Sequence, residues 1–406
     1  MTHVLLIHQA FVLPDEAGST RHYELAHYCV TQNMSFTIIA SGLSYLSGQS
    51  SRAQRTWFTR QSIAGVQVVH AYMYPALHRG FIWRVLAFFS FMFSSVVAAL
   101  CAGPVDLVMG TSPPLFQALS AWIVAVIRRK PFLLEIRDLW PEFAIDMGVL
   151  RHPILIALLR WLEGFLYARA THLLVNSPAY RDYLLARGIP ESKISFISNG
   201  VDPQMFEPEA TGAAIRQQTG LNGHFVVTYA GALGQANDIP TILRAANRLR
   251  DESDIHFLLV GDGKERTNLE RLVEQLHLSN VTFLGVRPKS EIPDVLACSN
   301  ACVVTLQDIP MFRTTYPNKV FDYMAAGRPT ILAIDGVIRQ VVEAANGGIF
   351  VPPGDDLRLA EAIRRLYASP SETQTMGHAA RAYVVEHFNR QHQARSFAAL
   401  LQRLIR

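Results

Sequence analysis

Short apolar runs alternate with helical stretches along this 406-residue chain, in two successive series. Runs of strand character fall at 3–9, 35–41, 66–72, 107–110, 132–137, 173–176 and 194–197 in the first series. In the second they fall at 225–230, 256–260, 281–284, 301–306, 330–333 and 348–351. Stretches such as 239–249 and 266–276 carry apolar residues at three-to-four spacing, the period of a helix with one buried face. Strands separated by helices are the signature of parallel sheets with crossover connections. Between the two series, Ser198-Asn199-Gly200-Val201-Asp202-Pro203 is turn chemistry and suits a linker. The chain is longer than the roughly 250–300 residues at which single cores stop growing. An α/β chain of two Rossmann-like domains is therefore expected, 1–198 and 199–388. Further helical stretches close the chain, the last of them 389–406.

The charge is shared unevenly. Residues 1–198 hold 16 Lys and Arg against 11 Asp and Glu, while 199–406 hold 21 against 22. The first half carries the whole positive excess, and its arginines flank very apolar stretches, a pattern suited to an anionic membrane surface or an anionic lipid acceptor. Nucleic acid is not expected, because no basic run is interleaved with aromatics and no zinc-finger or helix-turn-helix pattern occurs. Residues 85–102 contain no charge, long enough to consider a membrane span. The strand pattern resumes at once in Pro104-Val105-Asp106-Leu107, so a helix packed on the sheet or lying in the membrane interface fits better. The stretch 150–170 is a second, weaker candidate for lipid contact. Four cysteines and no basic segment before the first strand lead to the expectation of a reduced compartment and no signal peptide. The 14 histidines form no cluster at ligand spacing, and no metal or other cofactor is expected.

The most informative short segment is Pro317-Asn318-Lys319-Val320-Phe321-Asp322-Tyr323-Met324-Ala325-Ala326-Gly327. It reads as a helix that proline opens and glycine ends. Phe321, Met324 and Ala325 would face a core; Lys319, Asp322 and Tyr323 lie on another side. Lys319 and Asp322 stand three apart and can converge on one ligand. The helix start adds free N–H donors suited to an anion. A solvated surface helix with a chance ion pair is the plain alternative.

This segment resembles the donor-sugar helix of retaining glycosyltransferases of family 4, which have the GT-B fold. The likeness runs over nearly the whole chain. It includes Pro14-Asp15-Glu16-Ala17-Gly18-Ser19-Thr20-Arg21, Arg137-Asp138-Leu139-Trp140-Pro141-Glu142, Asn199-Gly200-Val201-Asp202, Gly261-Asp262-Gly263 and Val351-Pro352-Pro353-Gly354-Asp355. The branch most resembled builds bacterial surface polysaccharides from nucleotide sugars, N-acetylated amino sugars among them. The resemblance implies two domains facing an interdomain cleft, a donor bound by the second and an acceptor by the first, with the last helix returning to the first domain. It also implies retention of anomeric configuration without a metal.

The family pattern of two glutamates eight apart places the ribose-binding carboxylate at Asp322 and the sugar contact at Thr314, which has no carboxylate. A basic pair common in the loop after the second domain's first strand is missing from Ala230-Gly231-Ala232-Leu233-Gly234-Gln235. Gly231 and Gly234 still let backbone approach a phosphate. The positive charge then falls to Lys319 and Arg313, with Asn318 at the helix start. Gly18, after the first strand, would allow close approach to the donor phosphates, or simply makes a turn. Arg21 could reach an acceptor or donor phosphate.

Loops at the carboxyl ends of parallel strands line the clefts of open α/β sheets. Asp138 and Glu142 follow such a strand and could orient or deprotonate the acceptor hydroxyl; Asp138 could equally cap a helix. Thr111 and Ser112 would border the acceptor, or belong to a rigid loop. His8 ends the first strand and reads as a core histidine or a cleft group. The expected protein is a glycosyltransferase acting with a nucleoside-diphosphate sugar, UDP-linked, and a polyprenyl-diphosphate-linked or other glycan acceptor, at the inner face of the cytoplasmic membrane. The alternatives are a nucleotide-sugar epimerase of like fold and a non-catalytic sugar-nucleotide-binding subunit.

Overall fold

The computed structural model describes residues 2–43, 57–75, 80–207 and 209–406. Two compact units divide the chain. The first comprises Met1–Leu13, Thr20–Ser198 and Gln391–Arg406; the second comprises Pro14–Ser19 and Asn199–Arg390.

The first unit is an eight-stranded sheet. Its strands are β1 (His3–Ile7), β2 (Ser35–Ser41), β3 (Phe58–Ile63), β4 (Val66–Ala71), β5 (Leu107–Ser112), β6 (Phe132–Ile136), β7 (His172–Val175) and β8 (Ile194–Phe196). They lie in the order β3-β4-β2-β1-β5-β6-β7-β8. All neighbours run parallel except β3, which pairs antiparallel with β4. The central strands are buried on both faces, which is why they read as unbroken apolar runs. β3 has no place in the strand series read from the sequence. It is an edge strand, mostly exposed and polar, joined to β4 by Ala64 and Gly65 at positive φ. The residues 85–102 lie mostly in a helix, Phe81–Leu100, packed on the helix Leu115–Arg128. Among the described residues no helix is long and apolar enough to cross a membrane.

The second unit is a six-stranded, wholly parallel sheet of β9 (Phe225–Ala230), β10 (Ile255–Val260), β11 (Val281–Gly285), β12 (Ala301–Thr305), β13 (Thr330–Ala333) and β14 (Gly348–Phe350). Its order is β11-β10-β9-β12-β13-β14. The order reverses direction at β9 and β12. The crevice beyond the carboxyl ends of the strands at such a switch point is where ligands bind in open α/β sheets. Buried side chains cover both faces of this sheet, with Phe321 and Met324 in one layer and Ile242 and Leu259 in the other. The closing helix Arg390–Ile405 packs Ala394, Phe397 and Leu401 into the core of the first unit.

Candidate functional site

The carboxyl end of β9 turns through Gly231 into a loop held by β10 and the turn that follows it. Gly231 N–H donates to Val260 O at 2.9 Å, and Leu233 N–H to Asp262 O at 2.9 Å. A Cβ on Gly261 would stand 2.0 Å from Gly231 O, and one on Gly263 2.3 Å from Leu233 O. Both glycines are thus required for the loop to lie this close.

The helix Asn318–Ala325 meets this loop. Phe321, Met324 and Ala325 are buried, as the spacing predicts, and so is Val320. Tyr323 departs from the sequence expectation: it is buried, and its hydroxyl accepts from Ala230 N–H at 2.8 Å and donates to Ala230 O at 3.2 Å. It ties the helix to the end of β9 and does not share the chemical face. Lys319 does face the loop. Its ammonium donates to Tyr229 Oη at 2.7 Å and to Asn237 Oδ1 at 3.2 Å, and lies 4.1 Å from the Tyr229 ring centroid. Both partners are uncharged, and burial lowers its pKa from the usual 10.5 to about 7. A Cβ on Gly231 would approach Lys319 Nζ to 2.6 Å, so this glycine makes room for the ammonium. Gly234 has no such neighbour; Asn237 Nδ2, at 3.8 Å, is the nearest atom to its would-be Cβ.

One turn further along, Asp322 Oδ2 accepts from Lys289 Nζ at 2.7 Å, with both side chains largely buried. Lys289 comes from the segment after β11, and the sequence reading did not single it out. The signal available was its place at the carboxyl end of a parallel strand. Tyr229 and Asn237 were likewise not foreseen, since a strand-end tyrosine reads as core. Thr314 closes a short 3₁₀ turn, its hydroxyl donating to Met311 O at 2.6 Å. Arg313 is exposed and pairs with Asp308 at 3.1 Å, so its charge is already partly answered. Asn318 Nδ2 donates to Ser19 Oγ at 3.3 Å, and Asn318 Oδ1 is buried without a partner among the described residues. Gly18 is exposed at φ +141°, a backbone that favours glycine.

The candidates of the first unit fare differently. Arg21 is fully buried. It donates to Glu135 Oε1 at 3.2 Å, Ser198 O at 2.6 Å and Ile197 O at 2.9 Å, so the expected phosphate contact is replaced by a structural role. Glu135 also meets His22 Nε2 at 2.5 Å. Burial opposes the charge of Glu135, but His22, Arg21 and Arg137 together hold its carboxyl well below the usual range. Thr111 and Ser112 are sealed in the end of β5. Thr111 Oγ1 accepts from Arg137 Nε at 2.9 Å, and Gln117 Nε2 donates to Thr111 O at 2.7 Å. Both residues belong to the strand itself and not to a loop after it, because β5 is a central strand covered on both sides.

Glu142 opens a short helix and is gripped by Arg160 at 2.8 and 2.9 Å and by Arg187 at 3.3 Å. The Arg160 hydrogen bond, against the cost of burial, lowers its pKa; a carboxylate so engaged is a poor base. Asp138 does not cap that helix, whose N-cap is Pro141. Burial pushes the Asp138 carboxyl up to about 6, against the pull of Arg137 and a hydrogen bond from Tyr180. His8, at the end of β1, is buried with neither ring nitrogen bonded among the described residues, and its ring lies 4.3 Å from that of His22, tilted by 58°. Its burial, with His22 and Arg137 nearby, keeps it neutral. Among the described residues no group of His, Cys, Asp or Glu is placed to hold a metal ion.

A glycine-edged loop against a helix that presents a lysine, at the switch point of a parallel sheet, is an arrangement able to hold a phosphorylated ligand. Comparison with known proteins says which kind. Residues 18–200 match the glycosyl transferase 4-like domain, and residues 224–369 match the glycosyl transferases group 1 domain. The chain is 21% identical over 385 residues to WcaI of Escherichia coli strain K12, provisionally named a colanic acid biosynthesis glycosyl transferase, covering 92% of this chain and 93% of that one. Its fold matches sucrose-phosphate synthase from Thermosynechococcus elongatus with a TM-score of 0.80, at 20% identity over 100% and 99% of the two chains. It also matches Anabaena HepE, solved with UDP and glucose, with a TM-score of 0.75 at 19% identity over 98% and 99%.

Proposed function

We propose that this protein transfers a sugar from a UDP-sugar to a glycan or lipid-linked acceptor during surface polysaccharide synthesis, with retention. The observation that carries the reading is the pairing of Lys319 with the Gly231 loop, one helical turn from Asp322. A leaving diphosphate needs positive charge and N–H donors already aimed at it. Lys319 brings that charge on a rigid helix, in a pocket where Gly231 leaves room for backbone and ammonium together. Diphosphate oxygens then take the place of the neutral Tyr229 and Asn237 contacts and favour the charged ammonium. Asp322 accepts from the ribose hydroxyls, its carboxylate steadied by Lys289. Gly18, Asn318, Thr314 and Arg313 stand around the same donor helix or its approach as weaker candidates. Thr314 offers a hydroxyl where the family pattern has a carboxylate. In the first unit, Asp138 is the group that orients the acceptor hydroxyl, since Glu142 is engaged by two arginines.

The relatives support the substrate class: HepE was solved with UDP and glucose, and WcaI carries a name from colanic acid biosynthesis. The donor sugar is a hexose or an N-acetylated hexosamine, and the acceptor is held at a membrane surface, in keeping with the basic, apolar first unit. No metal takes part in this reading. The test is mass spectrometry of products formed from a panel of UDP-sugars with membrane lipid extract. A new glycolipid that appears only with protein and one donor supports transfer. Free rearranged sugar formed from the donor alone would replace it with an epimerase, and UDP binding without any product would leave a binding subunit.

A further inference from the structure

We propose that one face of the first unit, made by three neighbouring helices, is a docking surface for a bilayer containing anionic lipid. The helices are Phe81–Leu100, Leu115–Arg128 and Pro153–Arg169, which follow one another over the same side of the sheet. Each turns large apolar side chains outward. The first exposes Trp83, Leu86, Phe89 and Phe93, the last at 63%. The second exposes Val126 and Ile127. The third exposes Ile154 at 74%, Leu158, and Trp161 at 62%, at successive steps of four and three residues that share one stripe.

Half-buried aromatics join the three helices. Phe89 meets Phe116 at 5.1 Å between ring centroids, bridging the first helix to the second. Trp122 meets Phe165 at 4.8 Å, and Phe165 meets Trp161 at 5.6 Å, bridging the second to the third. Scattered exposed apolar residues are ordinary in soluble proteins; a joined face with aromatics on each helix is not.

Charge selects the occupant. The three helices hold a single acidic residue, Glu163, and it is buried against Arg187 and Tyr167. The exposed charges on and beside the face are Arg129, Lys130, Arg151, Arg160 and Arg169. The acids nearest in sequence are Asp106, paired with Lys130 at 3.5 Å; Glu142, paired with Arg160; and Asp146, exposed on the short helix before the third. An apolar stripe with tryptophan and an arginine margin matches an interface of acyl chains and negative headgroups. A second copy fits less well, because a two-fold pairing would set these arginines against themselves. No described helix is able to span, so the contact is one of lying on the surface.

This inference names the surface behind the membrane-held acceptor, and it stands or falls separately from the donor reading. The test is co-sedimentation of the full chain with vesicles of phosphatidylcholine alone and of equimolar phosphatidylcholine and phosphatidylglycerol, with UDP calorimetry on the same preparations. The protein binds the anionic vesicles, less so at high salt, and binds neutral ones weakly. Phe93→Ser, Leu158→Ser and Trp161→Ser together weaken vesicle binding on the order of a hundredfold, from about half the transfer energy of three large side chains. Arg129→Asn or Arg169→Gln costs about fivefold each at low salt. These outward side chains are not part of the core, so UDP affinity is unchanged in every variant. Equal vesicle binding by the triple variant and the parent overturns the proposal. So does absence of binding to anionic vesicles, and so does self-association that the triple variant abolishes in the absence of lipid. Failure to bind UDP with vesicle binding intact would instead overturn the donor reading alone.

Discussion

Raising the pH above neutrality weakens UDP binding by this protein, and Lys319 sets the slope. In the free protein burial leaves its ammonium with a pKa of about 7, against a usual 10.5. Its hydrogen-bond partners, Tyr229 and Asn237, bring no negative charge. A diphosphate beside Nζ favours the charged form and moves the pKa back toward the usual value. Between the two pKa values the empty site is neutral and the occupied site is protonated, so binding takes up a proton. Affinity then falls about tenfold per pH unit in that window and is flat below about pH 7, where the lysine is charged in both states. Titration calorimetry at about pH 8, in two buffers of different ionisation enthalpy, reads the uptake directly as close to one proton per UDP. Lys319→Met removes both uptake and slope. The same sign governs the empty fold: an unfolded chain binds the proton that the folded one lacks, so Lys319 makes stability rise with pH from about 7 toward 10. Lys319→Met accordingly removes this pH dependence of stability and stabilises the ligand-free protein near neutrality. UDP binding without proton uptake, or with a slope that survives the substitution, would refute the reasoning.

Further outcomes follow from the same geometry. Gly231→Ala places a methyl 2.6 Å from Lys319 Nζ and lowers UDP affinity by about tenfold or more, the worth of a charged hydrogen bond, while Gly234→Ala leaves it unchanged; calorimetry of both variants checks this. Lys289→Met, which strips Asp322 of its ammonium, raises the KM for the UDP-sugar severalfold with little change in kcat, and Lys289→Arg restores it; steady-state kinetics decide. The acid limb of kcat/KM against pH turns near 6, where Asp138 ionises in the free protein, and Asp138→Asn removes the limb together with most activity. Arg187→Met leaves Glu163 buried with one partner fewer and lowers stability by about 3 kcal/mol in urea unfolding, with UDP affinity intact.

Fold class and strand order of appearance were legible because buried parallel strands write themselves as apolar runs. β3 was not, because an exposed edge strand alternates polar side chains and leaves no run. The donor helix was legible at Lys319 and Asp322 through spacing and turn chemistry. Tyr323 was misplaced because its hydroxyl finds two backbone partners at Ala230, a tertiary fact that helical spacing does not carry. The sequence leaves Arg21, Glu142 and Thr111 available as open groups for one shared reason. Polar residues satisfy each other when the fold brings them together, and only the tertiary structure shows which ones are spent. Lys289 escapes a sequence reading for the converse reason: it lies 33 positions from Asp322, and only the tertiary fold brings the segment after β11 to the donor helix.

A crystal structure of the full chain with UDP bears most directly on the donor site. The diphosphate is predicted within hydrogen-bond distance of Lys319 Nζ and the backbone at Gly231, with the ribose hydroxyls on Asp322. A nucleotide bound elsewhere, with the Lys319–Tyr229 contact undisturbed, would contradict the account.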